Sequence, residues 1–265
     1  MGDGTDNGVE LNMTKEEKAK SLRMEQFPLS SKYDPDWVYE NEMGPNVLWL
    51  TEWLCQTMEL RPGMRVLDMG CGMAMSSVFL AKEFGVQVWA NDLWIGATEN
   101  WERIRAAGVE DRVFPIHAEA HALPYADGFF DAAVSLDSYH YYGTDDLYLG
   151  KHYARLVKPG GQMGLVAPGL MREFDGDVPA HLEAFWDRRE CFSFHTADWW
   201  RRHWAQTGLV EVELCDTMPD GGLVWLRWSD ARDAAGATKR GSDSDMLRAD
   251  DGQYLGFVRM VARSR

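Results

Sequence analysis

The fold of this chain is decided by residues 65–93, which read RVLDMGCGMAMSSVFLAKEFGVQVWANDL. The stretch opens with a short apolar run, passes through a glycine-rich turn into a segment of helical composition, and returns to a second apolar run. Gly85, just before that second run, is typical of a helix end. The pattern predicts a strand, a helix and a second, parallel strand, with Asp68 and Asp92 near the carboxyl ends of the two strands.

The same alternation continues along the chain. Strands are predicted at 112–118, 129–138, 162–168, 209–217 and 254–264, and helices at 46–59, 97–108, 145–161, 196–207 and 223–234. Short, nearly continuous apolar strands that alternate with helices are typical of a parallel sheet covered by helices on both faces. We therefore expect an α/β fold.

The composition argues against several classes of partner. The 265 residues carry a formal net charge of −15, which disfavours nucleic acid and an anionic membrane surface. The four cysteines show no metal-ligand spacing, so no metal site is expected and free thiols in a reducing cytoplasm are favoured. No apolar run reaches the roughly 20 residues of a membrane-spanning helix. We expect a soluble, cytoplasmic protein.

The glycine turn after the first strand lies where an open parallel sheet binds its ligand. A dinucleotide is disfavoured, because Met75 stands where that fingerprint needs its third glycine and Asp68 would repel a pyrophosphate. The GK[ST] sequence of a phosphate-binding P-loop is missing as well. A positively charged group near Asp68 fits the turn better, and a glycine turn that serves packing alone is the alternative interpretation.

Two further acids point to a nucleoside. Asp92 lies 24 residues after Asp68, where a carboxylate can accept both hydroxyls of a ribose. Leu93 and Trp94 follow with apolar surface for a purine, and Glu119 can accept a hydrogen bond from an exocyclic amine. An adenosine whose tail is a cationic amino acid satisfies all three acids, and S-adenosylmethionine is such a molecule.

Three motifs occur in the expected order, namely LDMGCGMA at 67–74, AEAHALPYADGFFD at 118–131 and LVKPGG at 156–161. Together they resemble the signatures of the class I S-adenosylmethionine-dependent methyltransferases, particularly the small-molecule group. The resemblance implies a Rossmann-like doubly wound sheet of seven strands, mostly parallel with an antiparallel last strand. Ala74 replaces the usual third glycine and Glu119 replaces the more frequent aspartate. Neither change removes what binding requires, because Ala74 is still small and Glu119 still carries a carboxylate.

The resemblance also implies a set of cofactor-binding residues, from the methionine end to the adenine. These are Tyr33, Asp68, Gly70, Gly72, Asp92, Leu93, Ala118, Glu119, Ala120, Leu136 and Asp137. A polar, flexible arm is predicted at 1–25 and a single domain at 26–265. In this fold a lid at 28–60 and a substrate cap at 170–206 would cover the pocket.

The methyl acceptor is expected to be a small molecule that reacts through O, N, S or C. His140 is the candidate base, because its ordinary pKa lies near neutrality; a histidine satisfied by a backbone carbonyl, or packed under the lid, is the alternative. Aromatic residues of the lid and cap suit a planar ring or an amine as acceptor, or they simply pack the cap. They are Trp37, Tyr39, Trp186, Trp199, Trp200 and Trp204. A non-catalytic cofactor-binding module and another transferase on the same fold are the competing functions.

Overall fold

The computed structural model describes residues 13–189, 191–237 and 243–265. One seven-stranded sheet runs through it in the order β3-β2-β1-β4-β5-β7-β6. The strands are β1 (Arg65–Met69), β2 (Gln87–Asp92), β3 (Val113–His117), β4 (Phe130–Leu136), β5 (Val157–Leu170), β6 (Val210–Thr217) and β7 (Leu255–Ser264). All neighbours pair in parallel except β7, which is antiparallel to both β5 and β6. The predicted fold class is confirmed.

Alternate residues of the central strands enter two different hydrophobic cores. Val66 and Val134 belong to one core, whereas Leu67 and Ala133 belong to the other. Since successive side chains of a strand point to opposite faces, the two cores lie on opposite sides of the sheet. The helices are α1 (Lys15–Leu22), α2 (Pro35–Asn41), α3 (Val47–Cys55), α4 (Met75–Phe84), α5 (Ala97–Ala106), α6 (Ala197–Ala205), α7 (Gly221–Ala234) and α8 (Ser244–Asp250). Helices α3, α4 and α7 contribute to the first core and α6 to the second.

Local signals explain several of the helix ends. Asn46 caps α3 by accepting the backbone N–H groups of Leu48 and Trp49, and Thr196 caps α6 in the same way. Gly85 ends α4 in the left-handed conformation with φ 66°, as a glycine at that place predicts.

The prediction of a helix at 145–161 is wrong. This segment contains only a π-helical turn at Leu149–Tyr153 and a 3₁₀ turn at Ala154–Leu156, and β5 begins directly afterwards at Val157. The Pro-Gly-Gly sequence therefore lies inside the strand rather than after a helix. Gly161 permits this, because a Cβ there would lie only 2.5 Å from the carbonyl oxygen of Asp131 on β4.

The N-terminal segment differs from the expected flexible arm. Lys15–Leu22 forms α1, whose first turn is held by a capping box between Thr14 and Glu17, and Leu22 is buried. The remainder of that arm, residues 1–12, lies outside the described residues. The composition of AGATKRGSDSD at 235–245 predicts a surface loop, and residues 238–242 of it also lie outside the described residues. The end of that loop, Ser244 and Asp245, opens α8. None of the helices in the described ranges is both long enough and apolar enough to cross a membrane.

Candidate active site

A cavity of about 320 Å³ opens at the carboxyl ends of β1, β2 and β4. The sheet order reverses between β1 and β4, so this is the crevice in which open α/β sheets bind ligands. Most of the predicted site residues line it, namely Gly70, Gly72, Asp92, Leu93, Ala118, Glu119, Ala120, Leu136 and Asp137. Asp68, Tyr33 and His140 do not.

The glycine turn has no room for side chains. Gly70 and Gly72 have φ values of 73° and 54°, which disfavour any residue with a Cβ. A Cβ on Gly70 would lie 1.8 Å from the Ser138 hydroxyl, and one on Gly72 would lie 2.7 Å from the sulfur of Met43. The turn therefore presents bare backbone to the cavity.

Asp92 organises this end of the site. One carboxylate oxygen accepts the backbone N–H of Gly72 at 2.8 Å, and the other accepts those of Trp94 and Ile95 at 2.7 and 2.9 Å. The side chain joins the turn after β1 to the turn after β2, and it is 7% exposed toward the cavity. A carboxylate has about four lone-pair sites, so these three N–H bonds leave one site, on the oxygen that accepts Gly72, for a ligand hydroxyl.

Asp68 lies behind the turn and is completely buried. Its Oδ2 accepts the hydroxyls of Ser76 and Ser77 at 2.6 Å each, whereas Oδ1 has no hydrogen-bond partner within the described chain. Burial raises the pKa of Asp68 to about 6, although the two serine hydroxyls act in the opposite direction. A buried carboxylate oxygen without a donor is what a cationic or N–H-bearing ligand beside this turn would satisfy.

The far wall of the cavity combines exposed apolar groups and an acid. Leu93 and Trp94 are 51% and 67% exposed, and Trp94 stands 5.9 Å from the ring of Tyr141. The Glu119 carboxylate accepts the backbone N–H of His121 at 2.9 Å and contacts its ring at 2.7 Å.

Asp137 directly follows the last residue of β4. Its backbone has a φ of 54°, a left-handed conformation that is uncommon for residues other than glycine. Its Oδ2 lies 3.1 Å from the position that a Cβ on Gly44 would take. Burial raises the pKa of Asp137 to about 8; the nearby Asp243 raises it further, and Arg232 lowers it.

Tyr33 and His140 are placed away from the cavity. The ring of Tyr33 stacks between Trp37 and Phe79, with centroid distances of 5.6 and 5.7 Å. His140 is 1% exposed, and burial lowers its pKa to about 3. Its Nδ1 is buried with no hydrogen-bond partner among the described residues, so the expected carbonyl partner is not present at that nitrogen.

The structure brings in residues that the sequence did not single out. The loop between α2 and α3 contributes Met43, Gly44 and Pro45 to the cavity wall. Helix α7 holds this loop, because the indole N–H of Trp228 donates to the Gly44 carbonyl at 2.8 Å. A buried ion pair between Arg232 and Glu42, with 2.7 Å between Nε and Oε2, adds a second tie. In the sequence, the only signal that this loop contributes to the cavity wall was its position inside the predicted lid at 28–60.

The aromatic residues expected at the pocket lie elsewhere. Trp200 and Trp204 are fully buried in the second core, and the others of that set do not line the cavity. The aromatic rings that do line it are Trp94, Tyr141 and Tyr142.

Comparison with known proteins is consistent with this architecture. Residues 66–161 match the family model described as a methyltransferase domain. The chain is 29% identical to the methyltransferase GfsG of Streptomyces halstedii over 180 residues, which are 66% of this chain and 64% of that protein. The chain thus spans slightly less than two thirds of this curated relative.

Two solved structures show the same fold. Geranyl diphosphate C-methyltransferase from Streptomyces coelicolor A3(2), a complex with Mg²⁺, geranyl diphosphate and S-adenosyl-L-homocysteine, aligns with a TM-score of 0.64 and 18% identity over 82% of this chain and 77% of its own. The [4+2]-cyclase SpnF aligns with a TM-score of 0.60 and 19% identity over 84% and 83% of the two chains.

Proposed function

We propose that the protein, whose residues 66–161 match a methyltransferase-domain family model, transfers the methyl group of S-adenosylmethionine to a small molecule. The observation that carries the proposal is the cavity at the switch point of the sheet, where a bare glycine turn meets the carboxylates of Asp92 and Glu119.

The residues present fit that cofactor. The turn at Gly70 and Gly72 has no space for a Cβ, and behind it lies the Oδ1 of Asp68, which has no hydrogen-bond partner among the described residues. We assign the methionine end of the cofactor to this turn. Asp92 would accept a ribose hydroxyl at its remaining acceptor site, and Leu93 would pack on the adenine.

The adenine amine and the sulfonium end are assigned to the remaining walls. Glu119, with the backbone of Ala118 and Ala120, would read the amine, and Leu136 and Asp137 would lie beside the sulfonium. Tyr33 is not among the residues we assign, because its ring is enclosed by Trp37 and Phe79.

When bound, the cofactor supplies an electrophilic methyl carbon whose leaving group is neutral. The protein has to align the nucleophile with that carbon and to exclude water, and such alignment contributes about 7–11 kcal/mol in well-oriented model reactions. The α2–α3 loop would perform this task, since Met43 lies on Gly72 and Gly44 lies beside Asp137.

We assign the acceptor to the part of the cavity wall that contains Met43, Pro45, Val47, Trp94 and Tyr141, all of which line the cavity. This apolar wall suits an acceptor with a flat or hydrophobic body, and Trp94 and Tyr141 could contact an aromatic ring or an amine.

We place the protein in the cytoplasm, a proposal supported by the free thiols of Cys55, Cys71 and Cys215.

Incubation with methyl-labelled S-adenosylmethionine and a panel of phenols, hydroquinones and primary amines tests the function. We expect a product that is heavier by one labelled methyl group, together with S-adenosylhomocysteine. Tight cofactor binding with no transfer to any acceptor would favour a non-catalytic binding module. A product without the label would favour another reaction on this fold, for which SpnF is a precedent as a [4+2]-cyclase of similar fold.

A further inference from the structure

We propose that Asp137 is the group that takes the proton from the methyl acceptor, and that the acceptor is therefore a hydroxyl or an amine. This inference rests on the proposed function. It places the base on the cavity wall rather than at His140.

The backbone directs Asp137 into the site. Its N–H still donates to the Val166 carbonyl at 2.8 Å and so continues the pairing of β4 with β5. The chain then leaves the sheet through the left-handed conformation of Asp137, with φ 54°. Such conformations are uncommon for residues other than glycine and are concentrated at functional sites. The carboxylate consequently faces the cavity next to Gly44.

Among the described residues, no donor holds this carboxylate. In the same cavity Asp92 accepts three backbone N–H groups, and Glu119 is held by His121. Those two acids are committed to fixed positions, whereas both oxygens of Asp137 remain available to a ligand. A largely buried carboxyl group without a partner indicates that a bound molecule supplies one.

The surrounding charges suit proton transfer near neutral pH. Burial, with a contribution from Asp243 ahead of α8, raises the pKa of Asp137 to about 8, and Arg232 of α7 opposes the rise. Arg232 also forms an ion pair with Glu42, and the negative charge of Glu42 weakens the effect of Arg232 on the pKa of Asp137. A base is most effective when its pKa lies near the working pH.

His140 is less suited to the same task. Burial lowers its pKa to about 3, and its side chain does not line the cavity. Its ring lies against Tyr141 and Phe194, with centroids at 4.1 and 6.1 Å. His140 can therefore position Tyr141, but a histidine with so low a pKa is a weak proton acceptor.

The proposed step is balanced. A lone pair on the acceptor oxygen or nitrogen forms the new bond to the methyl carbon, while the bond from that carbon to sulfur breaks and its electron pair stays on sulfur. The proton of the acceptor passes to a carboxylate oxygen of Asp137, which later releases it to solvent. An acceptor ammonium gives up its proton before the attack, and a hydroxyl gives it up during the attack.

The test compares Asp137→Asn with the wild type in two measurements. Calorimetric titration with S-adenosylhomocysteine should show affinities within about fivefold of each other, because the sulfur of this molecule carries no positive charge for Asp137 to attract and the amide keeps the shape of the side chain. The value of kcat/KM for the acceptor found in the panel should fall by about 10²–10⁴-fold. The wild type should show a pH profile that rises toward pH 8, and the variant should lose this rise.

Asp243→Asn provides a matched variant that removes a neighbouring negative charge. It should keep turnover and move the rising limb of the profile toward lower pH, because a like charge no longer disfavours ionisation of Asp137. A purely structural role of Asp137 would not produce this shift.

Three outcomes would overturn the inference. If Asp137→Asn keeps wild-type kcat/KM and the same pH limb, or if it loses S-adenosylhomocysteine binding in proportion to turnover, Asp137 is not the proton acceptor. Loss of turnover in His140→Phe with normal turnover in Asp137→Asn would return the role to the histidine. If the wild type transfers no label to any acceptor, the proposed function fails as well, so the two failures are distinguishable.

Discussion

The carboxylate of Asp92 accepts the backbone N–H of Gly72 at 2.8 Å, so the end of β2 holds the glycine turn that follows β1. The same side chain accepts the N–H groups that open the turn after β2. This side chain therefore joins the two turns that form the floor of the cavity, next to the Asn91 carbonyl, which accepts the N–H groups of Gly70 and Cys71 at 2.8 and 3.0 Å.

Replacing Asp92 with alanine should remove both binding and some stability. We expect S-adenosylhomocysteine affinity to fall by more than about 100-fold, which is about 3 kcal/mol, and the free energy of unfolding to fall by about 2–4 kcal/mol, because three N–H groups lose a charged acceptor. Calorimetry and urea unfolding measure the two effects. Asp127→Ala, at an exposed carboxylate paired with Arg155, is the control. An unchanged affinity would refute the ribose assignment.

The glycine turn offers a matched pair of substitutions. Gly63 and Gly70 both have positive φ, at 83° and 73°, but a Cβ on Gly63 meets no atom within 4 Å, whereas one on Gly70 meets Ser138. Gly63→Ala should cost about 1–2 kcal/mol of unfolding free energy, the price of the conformation alone. Gly70→Ala should cost about 1–3 kcal/mol more, and Ser138→Gly added to it should recover most of that difference. Equal costs at the two glycines would show that the turn is not crowded.

The raised pKa values of Asp68 and Asp137 make stability depend on pH. Each folded carboxyl keeps a proton that the unfolded chain loses near pH 4, so the folded state binds more protons above that pH. The stabilisation is complete below about pH 4. It falls as the pH rises to about 6 for Asp68 and about 8 for Asp137. The slope is at most about 1.4 kcal/mol per pH unit for each group.

Asp137→Asn should therefore be more stable than the wild type at pH 8, and the difference should shrink toward pH 4. Urea unfolding at several pH values measures it, with the exposed Asp111→Asn as control. A difference that does not change with pH would mean that Asp137 ionises normally in the folded protein. A more stable but less active variant would be the usual trade-off at a functional site.

The α2–α3 loop should become protected when the cofactor binds. Its residues Met43 and Gly44 lie against Gly72 and Asp137, so a molecule in the cavity would contact the loop directly. Hydrogen exchange measured with S-adenosylhomocysteine should slow over residues 41–47. Slowing that extends to 28–34 would add Tyr33 to the lid, and unchanged exchange over 41–47 would contradict the lid.

Local patterns predicted the order of strands and helices after residue 60 with one major error. The error at 145–161 arose because a helical composition with a Pro-Gly-Gly end also suits irregular turns that run into a strand. The Gly161 backbone lies so close to Asp131 that pairing with β4 decides the conformation. Helices α1, α2 and α8 were missed, because polar segments form stable helices mainly through the residues they bury, such as Leu22, Tyr39 and Leu247.

By itself, the sequence determined the alternation of elements and the placement of Asp92, Glu119 and the two glycines at the carboxyl ends of strands. These features depend only on neighbouring residues and on the spacing of apolar residues along each strand and helix. Only the tertiary structure decided that Asp68 is hidden behind the turn, that His140 is sealed from the cavity and that Asp137 lines it with no side-chain hydrogen bond to any described residue. Exposure and ionisation depend on segments that are distant along the chain, here β5, α7 and the α2–α3 loop, and no local pattern records how those segments pack.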